Sequence, residues 1–446
     1  MTALTGWGRV APSTAVLRTA GEDGELVEAV VGATARGVIP RGLGRSYGDP
    51  AQNGGGVVLD MTPRARILSV DVPSGRVLVE AGASLDQLMQ QLLPMGLMVP
   101  VSPGTRQVTV GGAIAADIHG KNHHVAGSFC DHVESMDLLT ADGTIRSVSR
   151  DSDPQLFWAT AGGMGLTGVI LRVVLRMSHV DSAYYVVDTE RAADLEDLMA
   201  RLEADDHRYT HSVAWIDCLA GGNALGRSVI TRGRSATLDE LPPRLQRAPL
   251  TFRPGTGPAV PDVFPSGLLN GLTVRAFNEL YFRRAPRKVS TDVQSLSRFF
   301  HPLDALRDWN RIYGHRGFLQ YQFVVPFGEE DALRSILRQL SDAGAASFLA
   351  VLKRFGDGNP GLLSFPAPGW TLALDIPVTG GLGALLDDLD RVVLDAGGRL
   401  YLAKDSRATA RTVHAMYPGV DEFRAVRDRV DPHRRFRSDL ARRLDL

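Results

Sequence analysis

Along the first ~180 residues the apolar runs are short and separated by glycine turns, a pattern that predicts strands with a few helices between them. VVLD (57–60), ILSVD (67–71) and RVLVEAG (76–82) are such strands. In SLDQLMQQLL the period changes. Leu85, Leu88, Met89, Leu92 and Leu93 form one helical stripe, which Ser84 caps and Gln87 completes as a capping box. VESMDLLTADGTIRSVS predicts a hairpin turning at Asp142-Gly143, and VILRVVLRM (169–177) a further strand.

From about residue 183 the character changes. FRPGTGPAVPDVFPSGLLNG (252–271) has no period and predicts a long loop or cover. Three strands with legible faces follow. Gln320 and Gln322 alternate with Leu319, Tyr321 and Phe323; Lys353 shares a face with Leu349 and Val351; Thr371, Ala373 and Asp375 oppose Leu372, Leu374 and Ile376. Between them EEDALRSILRQLSDAG and LGALLDDLDRVVLDAG are amphipathic helices. The class is α+β, with one sheet face dotted by polar groups, and 446 residues imply two domains.

Composition narrows the function classes. With 49 basic against 50 acidic residues the net charge is -1, so no global field recruits nucleic acid. No apolar run approaches a membrane span, and MTALTGWGRVAP lacks the build of a cleaved signal. Cys130 and Cys218 are too few for a disulfide framework or a metal quartet. The expectation is a reduced protein, cytoplasmic or held peripherally at the cell envelope, with the periplasmic face left open. Peripheral membrane contact is compatible with this composition.

The chemistry is concentrated in glycine-rich segments. GGMGLTG (162–168) has the spacing of a dinucleotide fingerprint, but a helix precedes it and a strand follows, the reverse of what that fingerprint requires. It is a turn. RGLGRSYGD (41–49) would let backbone N–H groups gather around an anion, and PGTRQVTVGGAIAADIHG (103–120) sets small residues around a short helix, AIAAD. DIHGKNHH (117–124) holds three histidines. His123 and His124 are adjacent and point apart, and no zinc-ligand spacing occurs, so metal is not expected. His119, beside Gly120, is the histidine in position to face a ligand.

GRSYGD, GTRQVTVGGAIAADIHGKNHH and GGMGLTG, in this order, resemble the vanillyl-alcohol-oxidase-type flavoproteins. The resemblance extends through PDVFP, GFLQYQF, GRLYLAKDSR and HAMYPGVDE, over essentially the whole chain. It implies a two-subdomain FAD-binding fold, residues 1–182 completed by 399–446, under an antiparallel-sheet cap, residues 183–398. It also implies non-covalent FAD, although in some relatives a histidine at the position of His119 is bonded to the flavin. By the same likeness Arg41, Gly42, Leu43, Gly44, Arg45, Ser46, Tyr47 and Gly48 would wrap the cofactor's pyrophosphate, with Tyr47 near the flavin. Gly104, Thr109, Val110, Gly111, Gly112, Ala116, Asp117, Ile118 and His119 would line the cofactor, and Ile170 and Tyr401 would complete its pocket.

The implied activity is oxidation of the 2′-hydroxyl of decaprenylphosphoryl-β-D-ribose, a polyprenyl-phosphate-linked ribose, to the 2′-keto sugar. A partner keto-reductase would complete an epimerisation to the arabinose compound for cell-wall arabinan. Lys404, His119 and Tyr47 would be catalytic. Lys353, Gln320 and Gln322 would bind the ribose phosphate and hydroxyls, Thr371, Ala373, Asp375 and Lys404 would line the sugar, and Trp215 and Phe355 would supply apolar walls. Where the family commonly has Asn-x-Cys this chain has Thr371-Leu-Ala373, and Phe300 stands for a tyrosine. A different reading is an FAD-dependent sugar or aldonolactone oxidase acting on a soluble substrate; a non-catalytic lipid-carrier binding protein is a third.

Overall fold

Strands rich in valine and isoleucine build two sheets around the N-terminal core. In a computed structural model, which describes every residue except Ala20 and Thr256, the strands Ser13–Thr19, Val57–Asp60 and Val38–Arg41 run parallel, with Thr2–Leu4 added antiparallel at the edge. Beside them a five-stranded antiparallel sheet has the order Ile67–Asp71, Arg76–Glu80, Val169–Arg176, Val133–Leu139, Ile145–Ser149. The hairpin at Asp142-Gly143 is present, and Gly143 takes the positive φ of 85° that its turn needs. The helix Leu85–Leu92 carries the expected capping box between Ser84 and Gln87, and its apolar stripe is fully buried.

Residues 435–446 belong to this N-terminal core. Val38 N–H donates to the Arg435 carbonyl at 2.7 Å, Arg437 N–H returns to Val38 at 3.0 Å, and Asp439 N–H reaches Gln52 at 2.8 Å. Phe436, fully buried, packs with Leu26, Val38 and Leu59. Arg443 bridges Asp49 and Asp405, each at 2.7 Å.

One eight-stranded antiparallel sheet occupies the span from Tyr184 to Leu400. Its order is Ser290–Ser295, Tyr184–Ala192, Ser228–Ser235, His211–Ile216, Ala350–Phe355, Gly369–Pro377, Phe318–Val325, Arg399–Leu400. The three strands legible in the sequence form its centre, and helices Glu330–Asp342 and Leu382–Asp395 pack nearby with their apolar stripes buried. At the other end Tyr184–Ala192 and Ser228–Ser235 escape the apolar–polar rule because charge lies between them. Arg232, only 2% exposed, ion-pairs with the buried Glu190 on the neighbouring strand. The stretch 252–271 holds no helix or strand among its described residues up to Asn270, apart from a single bridge from Ala259 to Arg307, and Gly271 opens the next helix; Thr256 within it lies outside the described residues. The helix Gly271–Arg284 that follows has no apolar period because Asn278 faces inward while Leu272 and Leu280 face out.

Candidate active site

The loop from Pro40 to Ala51 owes its path to glycine. A Cβ on Gly48 would lie 1.9 Å from the Asp405 carbonyl oxygen, and one on Gly42 would lie 2.2 Å from the Thr109 hydroxyl. Thr109 in turn caps the short helix Val110–Ala115, accepting from Gly112 N–H. Tyr47 N–H donates to the Ala403 carbonyl at 3.0 Å, which ties the loop to the 401–405 segment. Between this loop, the short helix and the face of the eight-stranded sheet lies a cavity of about 1090 Å³. The glycine turn at 162–168 contributes Met164, Gly165 and Gly168 to its wall, with positive φ at Gly162, Met164 and Gly165.

The floor is the sheet face. Gln320 lies opposite Asp375, Gln322 opposite Ala373, Lys353 opposite Thr371 and Val351 opposite Ala373, so these side chains emerge on one side. His119 reaches this floor from the wall. Gln322 donates its amide N–H to His119 Nε2 at 3.0 Å, and Lys353 Nζ lies 3.3 Å from His119 Nδ1. With the amide so assigned, the neutral ring carries its proton on Nδ1, and Lys353 accepts it only as an uncharged amine. The electrostatics agree. Burial, then the charges of Lys353, His123 and Lys404, hold His119 far below the ordinary imidazole range. Burial, then Lys404 and Lys121, brings Lys353 down to about 7.

Lys404 differs. Its Nζ sits 4.1 Å from the centre of the Tyr47 ring, and burial lowers its pKa while the charge of Asp375 opposes the fall. Asp375 is itself raised by burial, with the Gln320 hydrogen bond and Lys404 acting in the opposite sense.

Most of the residues expected at the site line the cavity, but six do not, each for a local reason. Gly48 turns its Cα against Asp405. Val110 is fully buried in the main apolar core. Asp117, with φ of 37°, accepts hydrogen bonds from Ser128, Cys130 N–H, Asn359 and Ser364, so its carboxylate anchors the His119 segment from behind. Phe355 packs edge-on to His119 and tilted against His123, at 4.7 and 4.5 Å between ring centres, and supports the wall from outside the cavity. Thr371 is fully buried beneath Gln322, whose amide lies 3.3 Å from its hydroxyl. Asp375 is covered by Gln320.

Sequence reasoning missed Lys121. It lines the cavity, donates to the Phe299 carbonyl, lies 4.4 Å from the Phe299 ring, and burial brings it down to about 7. Its position two residues past His119, beyond a glycine, was the available signal. His123 turns behind the wall and accepts from Gly356 N–H at 3.2 Å; His124 faces Tyr209 and Asp206.

The residues present fit FAD. Eight lysines and arginines line the cavity against three aspartates. Those three are already paired, Asp86 and Asp304 with Arg106 and Asp308 with Arg311, which leaves the lining free to take an anionic diphosphate. A flat group has room along the small-residue wall; a Cβ on Gly104 would meet nothing within 4 Å.

Comparison with known proteins places residues 14–149 in the FAD binding domain family, while residues 381–444 match the D-arabinono-1,4-lactone oxidase family. The decaprenylphosphoryl-beta-D-ribose oxidase of Mycolicibacterium smegmatis is 50% identical over 99% of this chain and 97% of its own. An uncharacterised protein of Streptomyces coelicolor is 45% identical over 81% of this chain and 100% of its own. An L-gulono-1,4-lactone dehydrogenase of Mycobacterium tuberculosis is 28% identical over 97% of this chain and 96% of its own.

Proposed function

The chain belongs to the decaprenylphosphoryl-β-D-ribose oxidase family of FAD-dependent oxidoreductases, and from that premise we propose that it oxidises the 2′-hydroxyl of decaprenylphosphoryl-β-D-ribose to the 2′-keto sugar. The observation that carries the mechanism is the contact between the uncharged imidazole of His119 and Lys353, an amine with no carboxylate partner among the described residues. The 41–47 loop and the wall from Gly104 to His119 would hold FAD non-covalently, and FAD would supply a two-electron acceptor for a hydride.

The protein's own part is proton transfer and positioning. When the sugar hydroxyl displaces the His119 N–H from the single lone pair of Lys353, the amine takes the hydroxyl proton as the C–H bond breaks, leaving a carbonyl. Until then His119, fixed between Gln322 and Lys353, holds the amine in place at the floor. Lys404, with Asp375 near it, keeps positive charge at the Tyr47 end of the cavity, where it stabilises developing negative charge. Gln320 and Gln322 offer amide groups to the sugar hydroxyls, and Trp215 supplies an apolar side. The ketone is then a substrate for a partner reductase, which gives net epimerisation of ribose to arabinose for cell-wall arabinan.

The test is anaerobic mixing of the FAD-loaded protein with a polyprenyl-phosphoryl ribose. Flavin absorbance should bleach, with a sugar product two hydrogens lighter. Oxidation of a soluble sugar or aldonolactone in its place would support the second reading, which the match at residues 381–444 and the lactone dehydrogenase favour.

A further inference from the structure

The helix Gly271–Arg284 packs on the rest of the protein through Val274 and Asn278, the latter donating to the Asp217 carboxylate at 2.7 Å. Phe282 is covered by Arg191 and Arg227, but four other large apolar side chains are presented to solvent: Leu272 is 80% exposed, Leu280 58%, and Phe277 and Tyr281 43% each. A soluble monomer rarely leaves so many large apolar groups uncovered on one element. Across residues 270–289 there are five basic residues, Arg275, Arg283, Arg284, Arg287 and Lys288, and one acid, Glu279, which is already held by Arg227 and Arg283. In a chain with a net charge of -1 this is a local basic patch.

The patch is continuous with the active site. Phe277 stacks on Tyr281, with ring centres 5.9 Å apart, and Tyr281 packs on Trp215 at 4.7 Å. Tyr281 and Trp215 both line the cavity, and Trp215 lies opposite Val351 on the next strand, which lies opposite Ala373. An unbroken apolar track therefore runs from the exposed helix to the floor beside Gln322. With 14 residues, the helix is too short to span a bilayer, but it suits the interface.

We infer that this helix face docks on an anionic lipid surface, so that a lipid-borne substrate enters the cavity along Phe277, Tyr281 and Trp215. Leucine and phenylalanine would sink below the headgroups while the arginines meet lipid phosphates. The inference rests on the proposed substrate only in the identity of the cargo; the docking itself is independent of it.

The experiment is co-sedimentation of the full-length, FAD-loaded protein with vesicles of phosphatidylcholine alone and of phosphatidylcholine with phosphatidylglycerol. The protein should pellet with the anionic vesicles, less so at high salt, and L272E/L280E should lower the partition at least about tenfold, through lost insertion and added repulsion. Both positions are exposed and outside the cavity lining, so oxidation of a detergent-soluble short-chain ribosyl phosphate should be unchanged in that variant. Failure of the wild type to pellet, equal pelleting of wild type and variant, or a change in oligomeric state as the variant's only effect would each overturn the inference. Vesicle binding without sugar oxidation would instead fault the substrate reading alone.

Discussion

The wall from Arg41 to Ile118 meets its ligand with backbone groups and small side chains, whereas the floor opposite meets it with the ends of long polar ones. On the wall, glycines at 42, 44, 104, 111 and 112 bring the main chain up to the cavity, so the shape follows from what is absent. On the floor, Gln320, Gln322, Lys353 and Ala373 come from three strands, and their chemistry depends on burial and on one another. The first construction tolerates little change of volume. The second tolerates changes of volume but not of charge. Two departures from the family's usual residues, Thr371 and Ala373, lie in the floor strand Gly369–Pro377, while Phe300 lines the cavity where it packs on Tyr185 and His211.

Removing the Lys353 amine from the floor should give the largest effect. Lys353→Met should slow the anaerobic bleaching step about 100- to 10,000-fold, the range for loss of a general base, with flavin content unchanged. Because burial holds Lys353 near 7, its amine fraction falls as pH drops through that value. The bleaching rate should therefore be level above about pH 8 and fall about tenfold per unit well below 7. Lys404→Met should lower the rate but keep this profile; a profile that vanishes in Lys404→Met and survives in Lys353→Met would exchange the two roles.

Adding volume to the wall should act on cofactor retention. Gly48→Ala forces a methyl against the Asp405 carbonyl and should cost about 1–3 kcal/mol, an overpacking penalty. It should show as flavin lost on gel filtration and a lower melting temperature. Smaller again is Thr371→Val, which takes a hydroxyl from beneath Gln322. At about 1 kcal/mol for one hydrogen bond, it should raise KM several-fold with little change in kcat. The smallest effect should come from thiol reagents. Cys130 and Cys218 are fully buried, and burial raises both thiols, so alkylation of the native protein should leave activity intact. Ala373→Cys, which sets a thiol into the floor, should make the same treatment inactivating.

What was legible in the sequence divides along the same line. The glycine segments marked the wall because a turn or close approach needs glycine whatever surrounds it, and the 318–325, 350–355 and 369–377 strands showed their faces through simple alternation. The 184–192 and 228–235 strands did not, since Glu190 and Arg232 satisfy each other inside the sheet and disguise a buried face as a polar one. Asp117 is expected at the site from the family resemblance and Asp375 from its place on a polar strand face; both lie one layer behind the cavity. Lys121 had one signal, its place two residues past His119 beyond a glycine, and that alone does not tell whether the lysine or the second histidine of HGKNHH turns toward the cavity.

The seating of residues 435–446 against Val38 and Gln52 bears on how the chain folds. The parallel strands at 13–60 are completed by Phe436 and by hydrogen bonds to Arg435 and Asp439, nearly four hundred residues away along the chain. Such closure carries a large loop entropy and slows the search for native structure. During synthesis the cofactor wall must wait, partly formed and with apolar surface showing, until the whole eight-stranded sheet has been made, which makes this region the natural point for chaperone engagement.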